Sequence, residues 1–163
     1  MDYPGPRAIE ILRDTETFYA TSTHDSRALI AIGDGPYVYD IDHYKYIDMH
    51  CGAGVANLGH GHKASMQAIY GQVETGVIHT EHHNAANPVA IQLSKFLAIH
   101  SPVKKPSKVF LSNSGAEANE AARKLCEAYR YHRDEQEARS RAIYFENGFA
   151  GRTHGVLPAT SSN

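Results

Sequence analysis

The spacing of hydrophobic and polar residues changes several times along the chain, and these changes predict its elements. Residues 1–7 contain two prolines and a glycine, which indicates an extended arm, and a helix with Ile9 and Leu12 on one side follows. A stretch rich in Tyr, Val and Ile then predicts two short strands, about Tyr37 to Asp40 and Lys45 to Asp48, joined by a turn. The first part of the chain is therefore predicted to be an arm, a helix and a β-hairpin.

The run CGAGVANLGHGH, residues 51–62, follows the hairpin and has four glycines in twelve residues. Such a run predicts a loop whose backbone lies close to another group. Two helices are predicted after it, over residues 63–76 and 87–100. In the second of these, apolar residues fall at helical spacing and Pro88 stands in the first turn, where its missing N–H is tolerated.

Residues 108–146 show the order strand, helix, strand. The apolar run Val109 to Leu111 and the segment AIYFE, Ala142 to Glu146, are typical of buried strands. Glu120 and Lys124 form a predicted ion pair on the polar face of the helix between them. Its apolar face is predicted to carry Ala118, Ala121, Ala122, Leu125 and Tyr129. This order predicts a parallel βαβ unit with a right-handed crossover, and hence an α/β fold class.

The segment SNSGAE, Ser112 to Glu117, stands where the first of these strands turns into the helix. Backbone N–H groups at a helix start lack internal acceptors, and the small residues here let an anion such as phosphate approach them. Ser114 and Glu117 also match a capping box, a stabilising device that needs no ligand. Both interpretations hold together only if Glu117 folds back on the cap, because a free carboxylate repels phosphate.

Composition narrows the classes of partner. Hydrophobic residues make up 42% and charged residues 21% of the 163 residues, which is typical of a globular domain. A net charge of −2 gives no reason to expect nucleic acid or an anionic membrane as a partner. Neither a signal peptide nor an apolar run of about 20 residues is found, and Cys51 and Cys126 match no disulfide or zinc spacing. A cytoplasmic protein is expected.

Histidine is abundant, with eleven residues in the chain, which raises the question of a metal site. The cluster HTEHH, His79 to His83, matches neither H-E-x-x-H nor H-x-x-E-H. We therefore predict no metal site. A dinucleotide site is also not predicted, because the strand-to-helix turn lacks G-x-G-x-x-G.

Three segments together resemble one enzyme family. KVFLSNSGAEANEAARKL, residues 108–125, resembles the cofactor-phosphate segment of class-III aminotransferases, the ornithine, acetylornithine and 4-aminobutyrate group. YVYDIDHYKYIDMHCGAGVANLGHGH, residues 37–62, is similar to the entry hairpin and glycine loop of that family, and GFAGRTHG, residues 148–155, to its F-H-G-R-T element. The resemblance implies pyridoxal 5′-phosphate as the cofactor. It also implies part of a fold-type-I large domain over residues 51–163, preceded by an arm and hairpin of the small domain over residues 1–50.

The resemblance also assigns roles to residues. Backbone amides of Ser114, Gly115 and Ala116 would hold the cofactor phosphate, and Phe149 would lie against the pyridine ring. The planar fork of Arg152 would bind a substrate carboxylate. Substrate would also meet Ala53, which stands where ornithine-specific members carry a tyrosine, and this argues against a preference for ornithine. Taken without the family, Phe149 is typical of a core aromatic and Arg152 of a surface arginine.

The sequence also departs from the family pattern. The D-G turn of the hairpin is Asp42-His43, the H-P after the glycine loop is His62-Lys63, and Ala150 replaces the histidine of F-H-G-R-T. None of the seven lysines matches the Schiff-base lysine of the family, so no catalytic residue is assigned. The chain by itself is expected to be inactive.

The implied activity is transfer of an amino group from an ω- or α-amino acid to a 2-oxo acid such as 2-oxoglutarate, in a homodimer. On this view the chain is part of an aminotransferase. The alternative is a non-catalytic remnant that retains a phosphate site and a dimer surface.

Overall fold

The computed structural model describes residues 3–20, 28–77, 79, 85–134 and 141–161. Internal contacts divide the chain into two compact units, Met1–His79 and Thr80–Asn163. Within the described ranges, no helix is both long and apolar enough to cross a bilayer.

The first unit combines helices with a small antiparallel sheet whose strand order is β1-β2-β3. Its elements are α1 (Pro6–Phe18), β1 (Ile30–Asp34), β2 (Tyr37–Asp40), β3 (Lys45–Ile47), α2 (Cys51–Gly54) and α3 (Lys63–Glu74). The hairpin is confirmed, with Val38 paired to Tyr46 across its centre. Strand β1 was not predicted, although its alternation of Ile30 and Ile32 with small residues is a signal for it.

The turn of this hairpin holds the start of α1. The side chain of Asp42 accepts hydrogen bonds from the backbone N–H groups of Arg7, at 3.0 Å, and Ala8, at 2.8 Å. The Arg7 guanidinium donates in turn to the carbonyl of Ile41 at 2.9 Å. Asp42 therefore satisfies helix N–H groups that have no acceptor within the helix, as an N-cap does, from 34 residues further along the chain.

The departure from D-G in this turn has a visible backbone consequence. His43 adopts a φ of 67°, the left-handed region that glycine enters without steric cost. The neighbouring carboxylate of Asp40, only 1% exposed, accepts hydrogen bonds from the backbone N–H groups of Asp42 and Tyr44 and from the Tyr46 hydroxyl. These bonds stabilise the turn in spite of the side chain at position 43.

The second unit contains two long helices and a short 3₁₀ turn. Its elements are α4 (Pro88–His100), α5 (Gly115–Asp134) and the 3₁₀ turn Leu157–Ala159. Both helices were predicted, and Asn87 caps α4 by accepting from the N–H groups of Val89 and Ala90. The buried apolar side chains of this unit, within the ranges described, are Val156 and Ala159, at the two ends of the 3₁₀ turn.

The α/β class is confirmed, but the parallel βαβ unit predicted within it is not formed by the described residues. Among the described residues, 107–112 and 141–145 have no ladder partner, and the three-stranded antiparallel sheet of the first unit is the one sheet found there. Phe110 is 66% exposed and Ile143 98% exposed. A strand in a parallel sheet is stabilised by neighbouring strands and by helices on both faces, and apolar runs without these neighbours stay open.

Candidate functional site

In the first unit, the glycine-rich turn after β3 is organised around one carboxylate. Asp48 Oδ1 accepts hydrogen bonds from the backbone N–H groups of His50, at 2.9 Å, and Cys51, at 2.8 Å. Its other oxygen lies 2.7 Å from Nε2 of His60. The hydrogen bond from His60, followed by those from the two N–H groups, lowers the pKa of Asp48. The Asp48 carboxylate therefore ties the beginning of the glycine-rich run to its end.

Ala53 lies in this turn, in short helix α2. Its φ of 58° is left-handed, and its N–H donates to Nδ1 of His50 at 3.0 Å. A pocket of about 270 Å³ adjoins the turn, lined among others by Pro36, Asp48 and Leu58. Ala53, predicted to meet substrate, is thus held in a conformation that few non-glycine residues adopt.

In the second unit, the start of α5 shows the predicted capping interactions. The N–H of Glu117 donates to Ser114 Oγ at 3.2 Å, and the Glu117 carboxylate accepts from the N–H of Asn113 at 2.7 Å. The carboxylate reaches one residue beyond the usual capping box, where the N-cap N–H is the donor. Glu117 has thus folded back over the cap.

The capping interactions do not use three of the N–H groups at the start of α5. Those of Ser114, Gly115 and Ala116 have no hydrogen-bond acceptor among the described residues. A Cβ added at Gly115 would meet no atom within 4 Å, so the space beside this middle residue of the three is open. Because the helix dipole places partial positive charge at this end of α5, the three amides suit a phosphate group.

The loop of residues 148–156 is attached to the first turns of α5. Asn119 Nδ2 donates to the carbonyl of Ala150 at 2.8 Å, and Arg123 Nη1 donates to that of Gly155 at 2.7 Å. The Thr153 hydroxyl donates to the carboxylate of Glu120. Glu120 was predicted to pair with Lys124, but no such ion pair occurs in the described part of the chain, because its carboxylate is bound to the loop.

The same loop packs closely on the start of α5 through two small residues. A Cβ added at Gly151 would lie 2.6 Å from Cβ of Ala116, and Gly151 has a φ of 129°. The Thr160 hydroxyl fixes the loop from its other side, donating to the carbonyl of Gly151 at 2.7 Å and accepting from the N–H of Ala150 at 3.0 Å. The loop and the first turn of α5 therefore form one packed structure.

The structure brings together most of the predicted site residues. Phe149 and Arg152 belong to the loop that packs on Ala116, and the Arg152 guanidinium lies 5.8 Å from the centre of the Phe149 ring. Phe149 is 63% exposed, so its ring is accessible to a ligand and is not the core residue that burial statistics suggest. The roles of Ser114, Gly115, Ala116, Phe149, Arg152 and Ala53 stay predictions.

Other candidates from the sequence can be placed as well. Of the histidine cluster, residues 80–83 lie outside the described residues, and no group of three metal-ligating side chains is found in the ranges that are described. Sequence reasoning missed the role of Asn119, Glu120 and Arg123, whose side chains attach the loop. The available signal was the spacing of Arg123, which follows Asn119 by four residues and Glu120 by three.

Comparison with known proteins identifies the family of this chain. The family model described as "Aminotransferase class-III" matches residues 18–163. The acetylornithine aminotransferase of Aquifex aeolicus is 40% identical over 128 residues, covering 78% of this chain and 32% of that protein. The chain spans about a third of the length of the curated relatives it matches.

Solved structures give the same result. Adenosylmethionine-8-amino-7-oxononanoate aminotransferase from Methanocaldococcus jannaschii is 28% identical, with a TM-score of 0.82 over 94% of this chain and 36% of that one. Ornithine aminotransferase from Toxoplasma gondii, which contains pyridoxal phosphate at partial occupancy in its active site, shares the fold, with a TM-score of 0.78 over 90% of this chain and 33% of that one at 24% identity. These matches show a partial fold-type-I architecture, and class-III aminotransferases depend on pyridoxal phosphate. The chain belongs to the class-III aminotransferase family.

Proposed function

We propose that this chain supplies the cofactor-phosphate and substrate-carboxylate contacts of an enzyme that transfers an amino group from an ω- or α-amino acid to a 2-oxo acid such as 2-oxoglutarate. One observation carries the proposal: no described residue accepts a hydrogen bond from the N–H groups of Ser114, Gly115 and Ala116, and the loop bearing Phe149 and Arg152 packs beside them. Two independent parts of the sequence thus provide one anion site and one aromatic face.

The residues present fit pyridoxal 5′-phosphate. The three amides provide donors for the phosphate, and Glu117, bound to Asn113, does not occupy them. The exposed ring of Phe149 provides a flat surface for the pyridine. When bound, this cofactor serves as an electron sink for the carbon that carries the amino group.

Arg152 is assigned to the substrate. Its guanidinium has a fork of donors that matches a carboxylate, and both the amino acid and the 2-oxo acid have one. The contact with Phe149 keeps this cation near the ring against which the pyridine would lie. Arg152 thereby orients the substrate relative to the cofactor ring.

The remaining parts of the proposal concern the whole protein. We place it in the cytoplasm as a homodimer, and we expect the chain of 163 residues to bind the cofactor without turnover, because none of its seven lysines matches the catalytic lysine of the family. Its partners are then the amino acid, the 2-oxo acid and a second subunit, with no role for nucleic acid or membrane. A remnant that only retains the phosphate site would give the same binding, and turnover by a longer polypeptide that includes this segment distinguishes the two.

Cofactor binding by the purified chain tests the proposal. Pyridoxal 5′-phosphate is expected to bind, to be displaced by inorganic phosphate, and to bind more tightly than pyridoxal. Phe149→Ala should weaken binding by about threefold to tenfold, the typical contribution of an aromatic stacking pair. Phe145→Ala is the matched control, since Phe145 is 89% exposed and has no assigned role. Equal affinity for pyridoxal and pyridoxal 5′-phosphate would contradict the phosphate site.

A further inference from the structure

Three neighbouring side chains of α5 hold the loop that carries Phe149 and Arg152. Arg123 lies four residues after Asn119 and three after Glu120, so it neighbours both of them on the helix surface. Their bonds to Ala150, Thr153 and Gly155 are spread along the loop on either side of Arg152. We call Asn119, Glu120 and Arg123 the loop clamp.

The loop clamp is separate from the groups that shape the turn at the start of α5. The turn is fixed by Ser114 and Glu117, which bond to each other and to Asn113. The clamp bonds start one turn further along α5 and end on the loop. One helix thus organises two parts of the site with two different sets of side chains.

The clamp bonds also determine where the aromatic ring lies. Ala150 follows Phe149 directly, so the bond from Asn119 to its carbonyl fixes the backbone next to the ring. Gly151, in the same loop, packs against Ala116 without room for a methyl group. The loop backbone is fixed by these contacts, whereas the Phe149 side chain is 63% exposed. Loss of a clamp bond should therefore move the ring and leave the N–H groups of Ser114, Gly115 and Ala116 in place.

We propose that Asn119, Glu120 and Arg123 are positioning residues that set how tightly the cofactor ring is bound, independently of its phosphate. This inference rests on the proposed function. It predicts that binding of the ring and binding of the phosphate respond differently to substitutions in the clamp. A role limited to general stability would change both together.

Two substitutions remove one clamp bond each. Asn119→Ala deletes the donor to Ala150, and Thr153→Val replaces the hydroxyl that bonds to Glu120 with a methyl group of similar size. Thr153→Ser restores that hydroxyl, and Lys124→Ala is the control on the same helix, at an exposed residue outside the clamp. Circular dichroism of each variant checks that the helices are retained.

Two measurements on the full chain are needed. Without cofactor, the rate of trypsin cleavage after Arg152 reports how firmly the loop is held. Asn119→Ala and Thr153→Val should each be cut about fivefold faster, as expected for one lost hydrogen bond. With ligands, the affinity for pyridoxal 5′-phosphate should fall by about the same factor, while that for inorganic phosphate changes less than about twofold. Thr153→Ser and Lys124→Ala should match the unchanged chain.

Other outcomes would overturn the inference. A parallel loss of affinity for inorganic phosphate would show that the clamp has only a structural role, and unchanged affinity for the cofactor would show that the clamp does not position the ring. Failure of the unchanged chain to bind either ligand would instead contradict the proposed function, and the inference with it.

Discussion

The carboxylate of Glu117 lies 2.7 Å from the backbone nitrogen of Asn113, four residues earlier in the chain, and accepts its hydrogen bond. With the bond from the Glu117 N–H to Ser114, this contact closes the start of α5. The capping interaction and an anion site are therefore compatible in one segment, since capping uses Asn113 and Glu117 as donors and leaves the amides between them open.

The cap at Ser114 gives a first prediction. Ser114→Ala should lower the free energy of unfolding by about 1 kcal/mol, whereas Ser114→Gly should lower it by only about 0.3 kcal/mol, because glycine is a tolerated N-cap. Urea unfolding followed by circular dichroism measures both. Equal losses in the two variants would contradict the assignment of Ser114 as the cap.

The contact between Gly151 and Ala116 gives a second. Gly151→Ala forces a methyl group against Ala116 and places alanine at a φ of 129°, so the free energy of unfolding should fall by about 2 kcal/mol. Gly71→Ala is the matched control, because Gly71 lies inside α3 with open space around it, and alanine there should stabilise by up to about 1 kcal/mol. Urea unfolding distinguishes these opposite signs. A neutral Gly151→Ala would show that the loop does not pack as described.

Acid should destabilise the first unit through Asp40. Burial alone would raise the pKa of this carboxyl, but hydrogen bonds from the Tyr46 hydroxyl and from the N–H groups of Tyr44 and Asp42 outweigh it and lower the pKa below 3.8. A carboxyl with a lowered folded-state pKa stabilises the fold above its unfolded pKa, and this contribution is lost as the pH falls through the folded value.

Stability measured between about pH 6 and pH 2 tests this linkage. Asp40→Asn should be less stable than the unchanged chain at neutral pH, and its stability should depend less on pH in the acid range. Asp14→Asn is a control on α1, where Asp14 is exposed. Parallel pH profiles for Asp40→Asn and the unchanged chain would exclude Asp40 as the source of the acid sensitivity.

Exposed apolar side chains predict self-association. On α4, Val89, Ile91 and Phe96 are each more than half exposed, and such apolar surface on soluble proteins is normally covered by a partner. Sedimentation velocity should show a distribution that shifts to larger species with concentration. A monodisperse monomer over the whole concentration range would contradict this prediction.

Covalent trapping examines the lysines. The resemblance assigns the family's catalytic lysine to none of the seven lysines. On that expectation, incubation with pyridoxal 5′-phosphate and reduction with borohydride should spread the label over several of them. Peptide mapping by mass spectrometry measures the distribution. Stoichiometric label on one lysine would assign that residue a catalytic role and overturn the expectation.

Local signals in the sequence predicted those parts of the structure that local interactions determine. The hairpin and the helices follow from periodicity within each segment, and the cap follows from Ser114 and Glu117, which are three residues apart. The bond between Asn119 and Ala150 joins residues 31 apart, and no periodic pattern contains it. The predicted parallel strands are not formed by the described residues for a related reason. An apolar run indicates burial but does not supply the neighbouring strands that burial requires.

Asp42 has a further consequence for α1. The helix is joined to the hairpin turn by hydrogen bonds that Arg7 and Ala8 donate to Asp42 and Ile41, and these bonds do not depend on the chain that links the two elements. In this respect the turn is a receptor and α1 its tethered ligand. Tethering at short range raises the effective concentration of a ligand to the order of 1 mM, so a free peptide copy of residues 3–20 would have to exceed that concentration to displace α1.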